Sequence, residues 1–362
     1  MQLNGQAEAR TADGAEAKAS NGAMPSATAH KIKTRKVAYL WDRRLALGVA
    51  TLLTGESEQG KSTLASRIVA SLTVGEALPG GPRVEACHTA ILTAEEHPAT
   101  AWKSRLTAAG ADLKRVHFPG WDDAGVLVKR IRLPSMGNEL RDYLIERRIR
   151  LLVIDPIGSF LDLAMLEDNG HTAREVMQTL TDAVSAASCA ALVVKHPRKG
   201  NAGSPLDQVS GSKEWINQPR SVLVVGPHPN APEMRVMASL KCSFGPKPSS
   251  LSAGIDFPGG ASLWSWTGET PLTAGDVFAG ESDPLGRSLL AEAKALLIDR
   301  LDAEEQPSKD MLQAGEDAGL SNMTMQRAKK QLGVTSHPKG PNEKRFHVWR
   351  KPSGGWPKTS AG

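Results

Sequence analysis

Residues 55–63 read GESEQGKST, a complete GxxxxGK[ST] pattern between the apolar run Val49–Leu53 and a helical pattern that begins at Lys61. A strand that stops at a Gly-rich turn and continues as a helix has few geometries open to it. Gly55 and Gly60 let the backbone curl so that successive N–H groups converge, and the positive end of the following helix dipole faces the same point. This spacing suits the phosphates of a nucleotide. The predicted cradle for ATP is therefore Gly55, Glu56, Ser57, Glu58, Gln59, Gly60, Lys61, Ser62 and Thr63. Lys61 supplies a point charge for the β- and γ-phosphates, and the Ser62 hydroxyl is a ligand for Mg²⁺. Glu56 and Glu58 are acids beside phosphate, so their side chains are expected to turn outward to solvent.

The fold class follows from what surrounds the loop. Apolar runs at Val49–Leu53, Thr89–Thr93, Leu151–Ile154, Ala190–Val194 and Ser221–Val225 alternate with helical patterns, and further strands are expected at Arg235–Leu240 and Leu263–Trp266. Helices are predicted to start at Lys61, Pro98, near Gly137 and near His171. Such alternation predicts an α/β domain whose sheet is mostly parallel. With 362 residues the chain has room for a second, smaller domain. Residues 1–34, rich in Ala, Ser, Thr, Gly and Asn, read as a disordered tail. Residues 35–273 form the predicted large domain, 274–286 a linker, 287–352 a small helical domain with a hairpin, and 353–362 a flexible tail.

Three further positions belong with the loop. Asp155 ends the buried-type strand RLLVID, where a carboxylate can hold a Mg²⁺ water, although a turn-capping Asp would look the same. Pro156 follows it, so the acid that orients an attacking water must come from elsewhere. Glu95 and Glu96, after the strand in AILTAEE, are the best source, with Glu95 first; two exposed acids opening a helix are the alternative. His196, at the end of AALVVKH, is placed to contact the γ-phosphate or the water, unless it is merely exposed.

Together these elements resemble the RecA-type P-loop ATPases of the RepA replicative-helicase group, the AAA_25 family of AAA ATPases. The resemblance extends over about residues 36–350. It rests on VAYLWDRRLALGVATLLTGESEQGKSTLA, TAEE, VIDPIGSFLD, KHPRKG and GSKEWINQPRSVLVV. It implies a RecA-like core, hydrolysis of ATP with Mg²⁺, Glu95 as catalytic base and His196 as sensor. It also implies that Arg220 or Lys241 reaches a neighbouring subunit's nucleotide, and so a homo-oligomeric ring, commonly a hexamer. A surface salt bridge is the plainer reading of Arg220. The chain departs from the family pattern at Glu56 and Ser57 in the loop and at Lys195, where a second histidine is common.

What the ring would act on is DNA. Residues 161–172 and 199–211 resemble the channel-facing loops that hold a single strand; the first is acidic, while Lys195, Arg198 and Lys199 flank the second more favourably. At the C-terminus, three helical stretches and the hairpin-like HPKGPNEKRFHVWR resemble a winged helix-turn-helix, with Ser321 as the cap of the third helix. From Ser321 to Lys351 eight bases face the single acid Glu343, a surplus of +7 that exceeds the +5 of the whole chain and suits duplex DNA. With these features the resemblance implies a ring-forming DNA helicase of plasmid or phage replication. A filament-forming recombinase and an ATP-gated DNA-binding regulator remain open as alternatives. Three scattered cysteines, no apolar run of membrane-spanning length and no secretory signal predict a soluble protein of the reducing cytoplasm with no membrane partner.

Overall fold

The computed structural model describes residues 26–34, 36–167, 169–196, 213–281, 284–341, 345–353 and 355–356. Most of the predicted N-terminal tail, the second predicted DNA loop and the last six residues lie outside them. Of the N-terminal segment, an exposed 3-10 turn at Ala29–Lys31 is described.

The chain then forms a short hairpin, β1 (Tyr39–Trp41) and β2 (Leu45–Ala46), before β3 (Ala50–Thr54) and α1 (Lys61–Val74). Next come β4 (His88–Thr93), a π turn at Pro98–Trp102, α2 (Lys103–Ala108), β5 (Val116–His117), α3 (Gly137–Glu146) and β6 (Ile149–Asp155). They are followed by α4 (Gly170–Ala186), β7 (Ala190–Lys195), α5 (Glu214–Asn217) and β8 (Ser221–His228). Three long antiparallel strands close the domain: β9 (Ala231–Cys242), β10 (Ser250–Asp256) and β11 (Leu263–Thr270).

Among the described residues, nine strands form one sheet in the order β11-β10-β9-β8-β3-β7-β6-β4-β5. The six strands from β8 to β5 are mutually parallel, and β9, β10 and β11 add an antiparallel flank. Strands buried on both faces read as continuous apolar runs, which is why the central ones are plain in the sequence. Successive residues point to opposite faces. Leu52 thus joins a core with α3 and α4, while Leu53 joins a second core with α1 and α2. In α4 the residues Ala173, Val176, Met177, Leu180 and Val184 line one buried stripe. The strand β10 was not foreseen, because its SLSAGID pattern is short in aliphatic residues.

The expected linker 274–286 is corrected: helix α6 spans Ala274–Glu281, and Val277 and Phe278 are buried in the large domain's core. These two apolar residues, four and three places before Glu281, hold the segment on the sheet despite its Gly and acid content. After it come α7 (Pro284–Ala303), β12 (Gln306–Pro307), α8 (Ser308–Asp317), α9 (Asn322–Gln331), β13 (Thr335–Lys339) and β14 (Phe346–Arg350). The last three strands pair antiparallel in the order β12-β14-β13. This unit has its own apolar core, including Leu297, Leu301, Met311, Met325, Leu332 and Trp349. Ser321 caps α9, accepting from the Thr324 N–H.

Candidate active site

The loop between β3 and α1 is shaped by close approach. A Cβ on Gly55 would overlap the carbonyl oxygen of Val225 in β8, and one on Gly60, at φ +85°, would meet Ile255 of β10 at 2.6 Å. Both glycines are required by neighbouring strands as well as by the turn. Glu56, Ser57 and Glu58 are exposed, as expected for acids kept away from phosphate. Lys61 is buried, and its ammonium donates to the carbonyls of Gly55 (2.7 Å) and Glu56 (2.6 Å). These bonds hold the lysine against the loop it is expected to serve.

Asp155 ends β6 at the same edge of the sheet as the loop. It is nearly fully buried, and its pKa is pushed up to about 6, chiefly because burial disfavours the carboxylate. The hydrogen bond from Ser62 and the charge of Lys61 pull the other way, while Glu96 and Glu95 add to the rise. Its Oδ2 is buried without a hydrogen-bond partner. An orphaned carboxylate oxygen beside a serine hydroxyl is the donor set that a hard divalent cation prefers. Ser62 and Asp155 therefore fit Mg²⁺, which when bound would neutralise charge on the phosphates and on Asp155 itself.

Past β4 the chain turns through Glu95 and Glu96, and the two acids separate. Glu95 is more than half exposed, with Oε2 3.7 Å from Nε2 of His196. Glu96 turns toward α2, where both its oxygens bind the guanidinium of Arg105, one of them at 2.6 Å. His196 follows the last residue of β7; burial and nearby Lys61 push its pKa down, so its imidazole is neutral at pH 7. A neutral imidazole beside a free carboxylate can accept or donate a hydrogen bond to a water held between them. The structure thus brings the phosphate loop, Asp155, Glu95 and His196 to one edge.

Arg220 and Lys241 are elsewhere. Together with Val49 and Gln178 they line a cavity of about 430 Å³ at the opposite end of the strands, where β3 begins. The five residues of β3 separate that end from the loop, about 17 Å at the usual strand rise. Lys241 donates to the carbonyls of Ile216 (3.1 Å) and Asn217 (2.6 Å), and its pKa is lowered by burial and by Arg220. Neither residue reaches the phosphate loop of its own chain.

Lys195 is also corrected. Rather than flanking a DNA loop, it is buried, with Nζ 2.6 Å from Glu167 and 5.6 Å from the centre of the Trp215 ring. Trp215 donates to the Glu167 carbonyl at 2.8 Å, so one residue of the loop after β6 ties β7 to α5. Asp168, Arg198, Lys199 and the loop 199–211 lie outside the described residues.

The C-terminal charge is partly spent within the unit. Lys339 and Arg350 both bind Glu305, and Lys351 meets Asp302 at 3.3 Å. Lys329 lies over the Trp349 ring, 4.6 Å from its centre. Residues 287–352 contain twelve Lys and Arg against nine Asp and Glu, a surplus of three. The +7 window was misleading because its partners lie upstream of Ser321. Sequence reading also missed Arg105 and Ser262. Nothing in an isolated arginine ten residues after Glu95 distinguishes it; the only signal was that two adjacent acids at a site need a counter-charge.

A family model described as an AAA domain, AAA_25, matches residues 22–202. That span is half of the chain and holds the phosphate loop, Glu95, Asp155 and His196; it ends before Arg220 and Lys241. Among curated proteins, none matches the chain. The AAA_25 match, the mostly parallel sheet and the site at its edge agree, and the chain belongs to the AAA_25 family of P-loop ATPases.

Proposed function

We propose that this ATPase is a ring-forming DNA helicase of the RepA type, acting in plasmid- or phage-type replication. One observation carries the reading: the nucleotide site lies at one edge of the sheet and the basic pair Arg220 and Lys241 at the other. Two such faces on one chain suit a head-to-tail contact, which when repeated forms a ring where the rotation closes and a filament where it does not. Arg220 or Lys241 of one subunit then approaches the phosphates held by the next and stabilises charge in the transition state. The loop after β6 starts at the nucleotide edge and exposes Leu163 and Leu166, a position from which a loop can follow the state of the site and hold a single strand in a central channel.

The C-terminal unit supports a DNA partner. Its order of helix, strand, two helices and a hairpin resembles that of a winged helix-turn-helix, in which α9 would be the recognition helix. On α9 the residues Asn322, Gln326, Arg327 and Lys330 are exposed. Such side chains suit base edges and phosphates, and this observation also favours a second reading, an ATP-gated regulator that reads duplex DNA without moving along it.

The test is steady-state ATP hydrolysis with and without single-stranded DNA at two salt concentrations, with Lys61→Ala as blank. Stimulation by single strands that fades with salt supports the motor. A rate indifferent to DNA, with tight sequence-selective duplex binding, supports the regulator and contradicts the helicase.

A further inference from the structure

The two glutamates after β4 have the same chemistry and adjacent positions, and the reading of this site as an ATPase gives only one of them a task. Three carboxylates, those of Asp155, Glu95 and Glu96, surround a place built for a polyanion and one cation, and all three interact electrostatically. A second free acid there would repel the terminal phosphate and compete for the metal.

The structure contains a device against this. The guanidinium of Arg105 takes both oxygens of Glu96 through Nη1 and Nη2, the fork-on-fork geometry that arginine alone provides. Its Nε donates to Oγ of Ser262 at 3.1 Å, and that hydroxyl is 2.9 Å from Oγ1 of Thr63, the last residue of the phosphate loop. The other side of the turn is fixed as well. Thr93 Oγ1 donates to the Glu96 carbonyl at 2.7 Å and itself accepts from the Trp102 indole at 2.9 Å. Glu96 is thus held by its side chain and its backbone, and the hold runs without a break to the loop. Arg105 is mostly buried, which strengthens the pair relative to a surface one.

We infer that Arg105 is a positioning residue: it withdraws Glu96 from the reaction and fixes the turn so that Glu95 is the single carboxylate facing the terminal phosphate. The inference rests on the reading of the site as an ATPase. It gives Arg105 an effect on the chemical step, through Glu96 and the turn, that a purely base- or phosphate-binding arginine would lack.

The experiment compares kcat and KM for ATP in the full chain and in Arg105→Ala, Arg105→Lys, Glu96→Gln and the double variant Arg105→Ala/Glu96→Gln. Arg105→Ala is expected to lower kcat about tenfold or more, in the range of a displaced general base, with KM changed less than about threefold. The double variant is expected to recover most of that loss, because the released charge is gone; Arg105→Lys, which keeps charge but not the fork, falls between. A merely structural arginine would not be rescued by a second substitution. A double variant as slow as Arg105→Ala overturns the inference, as does a raised KM with unchanged kcat, which would place Arg105 on the nucleotide. If Arg105→Ala does not fold, Arg105→Lys with and without Glu96→Gln makes the same comparison. Wild-type turnover sensitive to Lys61→Ala is established first. Its absence overturns the ATPase reading and this inference with it, whereas normal turnover without rescue overturns the inference alone.

Discussion

Asp155 bears the largest electrostatic penalty at the site. Its carboxyl titrates near 6 rather than 3.8 because burial disfavours the charged form. Below about pH 4 it is protonated in both folded and unfolded chains; as the pH rises toward 6, the unfolded chain releases its proton first, so that stability is lost across this window. At pH 7 without Mg²⁺ the ionised group therefore destabilises the fold by about 1–3 kcal/mol. Asp155→Asn is expected to raise the melting temperature of the metal-free protein at pH 7, with a gain that shrinks toward pH 4, while abolishing Mg²⁺-dependent hydrolysis. Thermal melts across that range check it; a lowered melting temperature at pH 7 would show that Asp155 is not strained. Lys61→Ala, in turn, should retain the circular dichroism of the wild type and lose hydrolysis.

At the scale of elements, the phosphate loop is gripped by the antiparallel flank. Gly55 approaches the β8 backbone, Gly60 approaches Ile255 and Trp264, and Thr63 meets Ser262. Gly55→Ala has no room for its methyl group against the Val225 carbonyl, and is expected to destabilise by roughly 2 kcal/mol or more and to lose nucleotide binding. Chemical denaturation and ATP titration measure the two effects. This grip explains what the sequence could and could not reveal. Strands β3, β4, β6 and β7 are buried on both faces and announce themselves as aliphatic runs, and the spacing from Gly55 to Thr63 carries its own chemistry. The partners of that loop come from 100 to 200 residues away, as Ser262 and Ile255 do, and no local pattern encodes them. Helix α6 was misread for a related reason: Gly275, Asp276 and Gly280 suggest a linker, but tertiary burial of Val277 and Phe278 overrides local propensity.

For the whole molecule, the proposed coupling to DNA rests on the two edges of the sheet and the charge of the C-terminal unit. Lys339, Arg350 and Lys351 are paired with acids of α7 and the turn after it, so the proposed DNA contact is tested on α9. Arg327→Ala/Lys330→Ala is expected to weaken duplex binding and to reduce the slope of log K against log salt by about two, without changing basal hydrolysis. An unchanged slope would remove α9 from the DNA surface. One edge of one sheet, through the phosphate loop, Asp155 and Glu95, is expected to hydrolyse ATP with Mg²⁺. The direct measurement is the ATP hydrolysis rate of wild type and Glu95→Gln, with Mg²⁺ and with chelator, alongside ATP affinity for both. Mg²⁺-dependent turnover is expected in the wild type, with a loss of about 100-fold or more in Glu95→Gln at similar affinity. Equal turnover in the two proteins would contradict it.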